Sequence, residues 1–263
     1  MNTREQEMDA QDRPPFVISG EGGTAPVVLI CEHASAYIPP ELDGLGLSGE
    51  AQKSHIAWDI GALDMAKRLS AQMGAPLISG QISRLVYDCN RPFEASDSIP
   101  EQSEVYAVPG NRGLSAADRK ARFDSIHTPF HNAVSTVIDR QSALTGGQVA
   151  VITLHSFTPI YHGKTRALEL GFLCHESGDL AQAATAIEAE RGLMKAAVNA
   201  PYSASDGVTY SLHKHGEARG LQSVMVEVRN DLIDTRAKAH SIADHLADTL
   251  AAAMERVAQR GPA

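Results

Sequence analysis

Residues 148–156 read QVAVITLHS, a short apolar run rich in β-branched residues that ends on a histidine. A strand with one face in water alternates polar and apolar positions, whereas an unbroken apolar run is a strand covered on both faces. The same pattern recurs upstream in APVVLIC, residues 25–31, which runs into Glu32-His33, and downstream in residues 168–174. It appears once more in SVMVEV, residues 223–228, which carries Glu227 and leads into Arg229-Asn230-Asp231. Shorter strands are expected at Pro76 to Ser79 and through Arg84 to Asp88.

Helical patterns separate these runs. Ile56, Ile60, Leu63, Ala66 and Leu69 recur at three- and four-residue spacing, which predicts a helix over about 48–72 ended by Gly74 and Pro76. Ser115 with Asp118 three places on predicts an N-cap and a long helix to about Leu144, closed by Gly146-Gly147. Residues 178–191 and an Ala-rich tail from Asp234 to about Gln259 complete the set. Buried strands alternating with helices predict an α/β fold with a mostly parallel central sheet in one domain over residues 16–263. Residues 1–15 are polar, end in Pro14-Pro15 and are expected to form a disordered leader. Residues 90–114 hold Pro92, Pro100, Pro109, Gly110 and Gly113 with little periodicity, a long loop of the kind that carries function.

Composition narrows the chemistry. The 263 residues carry 23 Lys and Arg against 32 Asp and Glu, a net charge of −9 that disfavours nucleic acid and anionic membranes. No apolar stretch is long enough to span a bilayer, and the first residues lack the apolar core of a signal peptide. Three scattered cysteines, Cys31, Cys89 and Cys174, suit a reducing cytoplasm. There is no G-x-S-x-G elbow, no phosphate-binding G-x-x-x-x-G-K-[ST], and no G-x-G-x-x-G after a strand.

Functional groups of open α/β sheets gather at the carboxyl ends of strands. Three apolar runs end in CEH, LHS and VEVRND, which places Glu32, His33, His155 and Glu227 on one rim. Two histidines with carboxylates there match a catalytic zinc, which takes three protein ligands and leaves a position for water. Each histidine taken singly reads equally well as a hydrogen-bonded structural residue. Asp59 is an acid on an otherwise apolar face and needs a partner, a metal being one candidate. His127 and His131 share a helical i, i+4 face, but position 128 lacks the Glu of a helical zinc motif, so packing is the stronger reading. His213 and His215 lie in a Gly-containing segment, and His215 is a candidate substrate contact.

The segments CEHASAYIPP, SHIAWDIGA, SRLVYDCNRP, TLHSFTP and VEVRNDLI, in this order, resemble the N-formylglutamate amidohydrolase family over roughly residues 26–255. The resemblance implies a three-layer α/β/α fold like that of zinc carboxypeptidases and aspartoacylases, with a mixed sheet. It also implies hydrolysis of N-formyl-L-glutamate to formate and glutamate, in histidine breakdown, by water activated on zinc or another divalent metal. Carried over by residue, the resemblance makes His33 and His155 metal ligands and Glu227 the general base. The third ligand of the carboxypeptidases falls on Ala36, so Asp59 is the first choice in its place and Glu32 the second. Asn90-Arg91 matches a substrate-carboxylate clamp, with Arg84 and Arg229 as additional contacts. A guanidinium binds such a carboxylate in bidentate fashion. Two other readings remain: a hydrolase of another N-acyl amino acid or small peptide, and a ligand-binding module that keeps the pocket without a competent metal.

Overall fold

The structure, a computed structural model, describes residues 13–260. The leader expected at the start falls on residues 1–12, outside the described residues, and on residues 13–15. Of the latter, Arg13 lies over the Tyr37 ring, and the Pro15 carbonyl accepts from the Gln81 N–H at 2.9 Å. Seven strands form the central sheet: β1 (Phe16–Ser19), β2 (Val27–Cys31), β3 (Leu77–Gly80), β6 (Ala150–Phe157), β9 (Leu170–Leu173), β10 (Ala196–Val198) and β11 (Gln222–Arg229). Two small hairpins, β4 (Gln102–Ser103) with β5 (Tyr106–Ala107) and β7 (Ile160–Tyr161) with β8 (Lys164–Thr165), project from loops. The sheet order is β1-β3-β2-β6-β11-β9-β10.

The four central strands β3, β2, β6 and β11 are mutually parallel, while β1 and the β9–β10 pair run the other way. The three runs that lead into the candidate site residues, β2, β6 and β11, are therefore adjacent and point to one rim. Alternation in β2 sends Val27, Leu29 and Cys31 to one core, where α1 (Ala62–Met73), α4 (Asp179–Arg191) and α6 (Arg236–Arg260) pack. Val28 and Ile30 face the second core, built on α3 (Thr128–Thr145) and the loops around residues 37–58 and 82–108. Helices on both faces explain why the central strands show no polar alternation. The chain is thus a three-layer α/β/α fold around a mixed, mostly parallel sheet, as expected.

Three local expectations are corrected. The helix foreseen over 48–72 begins only at Ala62, because Gly61 sits at φ +79° and a Cβ there would meet the Ile233 carbonyl oxygen at 2.0 Å. Residues 51–61 are a short 3-10 turn and irregular chain instead, so Asp59 lies ahead of the helix. Arg84 to Asp88 is a buried turn and not a strand, closed by the Val86 N–H donating to the Ser83 carbonyl at 2.9 Å. The long helix from residue 116 is interrupted: α2 (Ala116–Arg122), with Ser115 and Asp118 in a reciprocal capping box, passes through a π-helical turn at Phe123–His127 into α3. Strands β1 and β10 and the six-residue α5 (Tyr210–His215) were not foreseen, being too short to show a period.

Candidate metal-centred active site

Register sets the site. Glu227 on β11 pairs with His155 on β6, and Ile30 on β2 pairs with Thr153. The next same-facing residue, Glu32, stands just past the end of β2, and its carboxylate reaches the His155 ring, with Oε2 3.1 Å from Nε2. His33, one step later in the turn that follows the strand, lies against the loop that carries Asp59. The Asp59 N–H donates to the His33 carbonyl at 2.9 Å, which ties the two segments together at the backbone.

Three donor atoms converge. His33 Nδ1 lies 3.3 Å from Asp59 Oδ2, His155 Nδ1 lies 2.9 Å from the same oxygen, and the two Nδ1 atoms are 3.2 Å apart. A tetrahedral ion bound at about 2.0–2.1 Å spaces its ligands by about 3.3–3.4 Å, so the triangle has the size of one face of such a site. The opposite ring nitrogens are also held: His33 Nε2 donates to Asp88 Oδ1 at 2.7 Å, and His155 Nε2 faces Glu32. A carboxylate behind a ligating imidazole fixes its tautomer and raises its basicity. The buried carboxylates Asp59 and Asp88 share the Arg84 guanidinium, which binds Asp59 Oδ1 at 3.1 Å and Asp88 Oδ2 at 3.3 Å, and two more buried acids, Glu32 and Glu227, stand around the imidazoles. Such an excess of buried negative charge calls for a cation. The donor set fits a divalent ion.

Electrostatics follows from that geometry. Burial alone would raise Asp59, but the His33 charge, hydrogen bonds from both imidazoles and Arg84 hold it well below the usual carboxylate range. Burial would likewise raise Asp88, and His33 and Arg84 override it to keep Asp88 ionised. His155 is pushed up despite its burial, by Glu32 and Asp59. Glu227 behaves oppositely: burial and then the negative charge of Asp59 outweigh His155 and Arg84 and push it up to about 7. Its Oε2 is buried without a hydrogen-bond partner.

The cleft above these groups holds about 180 Å3 and is lined by His33, Asp59, Arg84, Asn90, Arg91, His155 and Glu227 among others. Arg91 reaches it from the residue 90–114 loop, with its Nε donating to Asp97 Oδ2 at 2.7 Å. The Asn90 side chain is committed to the fold, accepting from the Ser211 N–H at 3.0 Å and donating to the Val208 carbonyl. Two expected substrate contacts lie elsewhere. Arg229 turns along its strand to Asp231, at 2.7 Å, and to the carbonyls of residues 166–168. His215 is buried behind the sheet, where its Nε2 lies 2.7 Å from His131 Nδ1. His131 Nε2 in turn donates to the Cys89 carbonyl, and His127 stacks on Phe123, so these imidazoles pack within the α3 layer.

Sequence reasoning missed the cleft walls. Tyr161 on the β7–β8 hairpin and Tyr202 line one side, with Arg166 stacked over both rings. His55 and Glu104 also line it, joined at 2.8 Å, and Glu104 accepts from the His162 N–H of the same hairpin. These residues sit in short irregular segments with no period, and only the chain's return over the rim brings them together. Asp88 was also missed, although its position four residues after Arg84 was a usable signal.

The sequence model of the N-formylglutamate amidohydrolase family matches residues 25–234, which include every residue of this centre. The chain belongs to the N-formylglutamate amidohydrolase family. A gene product of Agrobacterium tumefaciens with a solved crystal structure is 41% identical, covering 93% of this chain and 96% of its own, with a TM-score of 0.90. An N-formylglutamate amidohydrolase from Ralstonia eutropha is 17% identical over 94% of this chain and 98% of its own, with a TM-score of 0.60, and shares the fold. Among curated proteins none matches the chain.

Proposed function

We propose that this chain is a divalent-metal-dependent amidohydrolase, with zinc as the preferred ion, that hydrolyses N-formyl-L-glutamate to formate and glutamate in the cytoplasm, in histidine breakdown. The observation that carries the reading is the triangle of His33 Nδ1, His155 Nδ1 and Asp59 Oδ2 on the cleft floor, with Glu227 beside it. These three side chains would hold the ion, with Asp88 and Glu32 orienting the imidazoles. Bound there, a divalent ion polarises a carbonyl and makes water acidic near neutrality, which a poor electrophile such as a formamide requires.

The chain's own residues do the rest. Glu227 takes a proton from the attacking water and delivers it to the leaving nitrogen, as the new C–O bond forms and the C–N bond breaks. A carboxyl held near neutrality suits both transfers. Arg84 keeps Asp59 and Asp88 in place and presents positive charge where the carbonyl oxygen becomes negative. Arg91 at the cleft wall is the assigned carboxylate contact, with Asn90 shaping the wall it stands on.

A second reading, an N-acyl amino acid without a side-chain carboxylate, draws on one feature: the two cleft-lining guanidiniums, Arg84 and Arg91, already have carboxylate partners. Metal analysis combined with a hydrolysis panel of N-formyl and N-acetyl amino acids tests both. One ion per catalytic centre and preferred release of formate from N-formylglutamate are expected. Preference for an uncharged side chain selects the second reading, and a metal-free, inert protein overturns both.

A further inference from the structure

The β9–α4 loop and the end of α5 meet away from the catalytic rim. β9 runs antiparallel to β11, with Gly171 opposite Glu227 and Leu173 opposite Met225, so the chain leaves β9 heading away from the cleft. Just beyond that exit stands His175. Its Nδ1 lies 3.1 Å from Glu217 Oε2, and the Nδ1 of His213, on α5, lies 3.8 Å from the same oxygen. The three donor atoms all fall within 4.8 Å of one another, and the two rings are tilted at 5.0 Å between centroids.

Glu217 is not a loose surface acid. Its side chain is only 9% exposed, and its Oε1 accepts from the backbone N–H groups of Glu176 and Ser177 at 2.8 and 2.9 Å. Those bonds lock the carboxylate, so that Oε2 is aimed between two imidazoles with its position already determined. His213 is 58% exposed, so its ring can turn the last ångström toward the other donors at little cost. One oxygen and two imidazole nitrogens, from the β9–α4 loop and from the end of α5 with the turn after it, form a borderline donor set, suited to zinc-class ions rather than to calcium or magnesium, which favour oxygen.

We propose that His175, His213 and Glu217 bind a second divalent transition-metal ion, with water completing its shell, independently of the catalytic centre. The ion would clamp the β9–α4 loop to the segment after α5. The opposite end of α5 reaches the cleft wall through the Ser211 N–H bond to Asn90, and Val208, just ahead of the helix, lines the cleft.

The test is a Zn2+ titration of chelator-stripped full chain against a chromophoric competitor, using wild type, His33→Ala, His213→Ala, Glu217→Gln and the His33→Ala/His213→Ala double variant. His213 is exposed, so its removal leaves folding intact, and Glu217→Gln keeps an oxygen for the two backbone N–H groups. The expected result is one fewer bound ion in His213→Ala than in wild type, with Glu217→Gln weakened at least about 100-fold. One ion retained by His33→Ala and none by the double variant completes it. Mg2+ at equal concentration leaves the sites unfilled. The same stoichiometry in wild type and His213→Ala overturns the proposal, whether or not the catalytic centre binds metal. Loss of an ion in His33→Ala alone tests that centre separately.

Discussion

Glu227→Gln should move turnover and stability in opposite directions. In its proposed role of general base, Glu227 contributes about 10²–10⁴ in rate, so kcat on N-formylglutamate should fall by that factor. This equals about 2.7–5.5 kcal/mol of barrier. Stability follows from the raised folded-state pKa of about 7 against a reference of 4.5, a shift caused by burial and then by Asp59. A carboxyl whose folded pKa is raised binds its proton more tightly in the native state. Its contribution to stability is full below pH 4.5 and is lost as pH rises through 7. In the metal-free protein at pH 9 the ionised group costs about 3 kcal/mol. Neutral, isosteric Gln escapes that cost, so metal-free Glu227→Gln should gain over wild type by about 2–3 kcal/mol between pH 5 and pH 9. Urea unfolding at the two pH values, with kcat and zinc content on the same preparation, reads all three quantities. A variant that keeps turnover, or one that loses stability at pH 9 as a broken buried ion pair would, refutes the assignment.

The remaining expectations concern the ligands, the clamp and the buried imidazoles. Asp59→Asn and His155→Ala should each abolish binding at the catalytic centre, whereas Glu32→Gln, which only alters the carboxylate behind His155, should weaken it about 10–100-fold. Equilibrium dialysis with zinc separates the two classes. Arg91→Lys keeps the charge but loses the planar fork, and should lower kcat/KM for N-formylglutamate about tenfold or more while sparing an amide analogue that lacks the contacted carboxylate. Equal losses on both substrates would make Arg91 structural. His127 is held down to about 4 by burial and then by Lys214, so its neutral form is favoured in the fold. The stability that this neutrality contributes is present above pH 6.5 and is lost as pH falls toward 4. Between pH 7 and pH 5 the loss is about 2 kcal/mol, and His127→Phe, which preserves the stack on Phe123, should remove that part of the acid sensitivity in urea titrations.

The amino-acid order by itself determined the layers and the rim. Unbroken apolar runs at 25–31, 148–154 and 223–228 can be buried only between helices, and the polar residues that end them, His33, His155 and Glu227, must emerge where the strands stop. That β2, β6 and β11 are neighbours was not in the sequence, because hydrogen-bonded register between strands more than 60 residues apart leaves no local period. Tertiary structure also decided which acid stands beside the two imidazoles. Asp59 and Glu32 are both buried acids close to His33 in space, and only the irregular stretch before Gly61 brings the Asp59 carboxylate between the two Nδ1 atoms while strand alternation sends Glu32 to the far side of His155. Arg229 looked equivalent to Arg91 as a cation beside a strand end. The fold turned it along the strand to Asp231 and the neighbouring carbonyls, since a guanidinium takes whichever acceptors lie within reach, and those are set by packing.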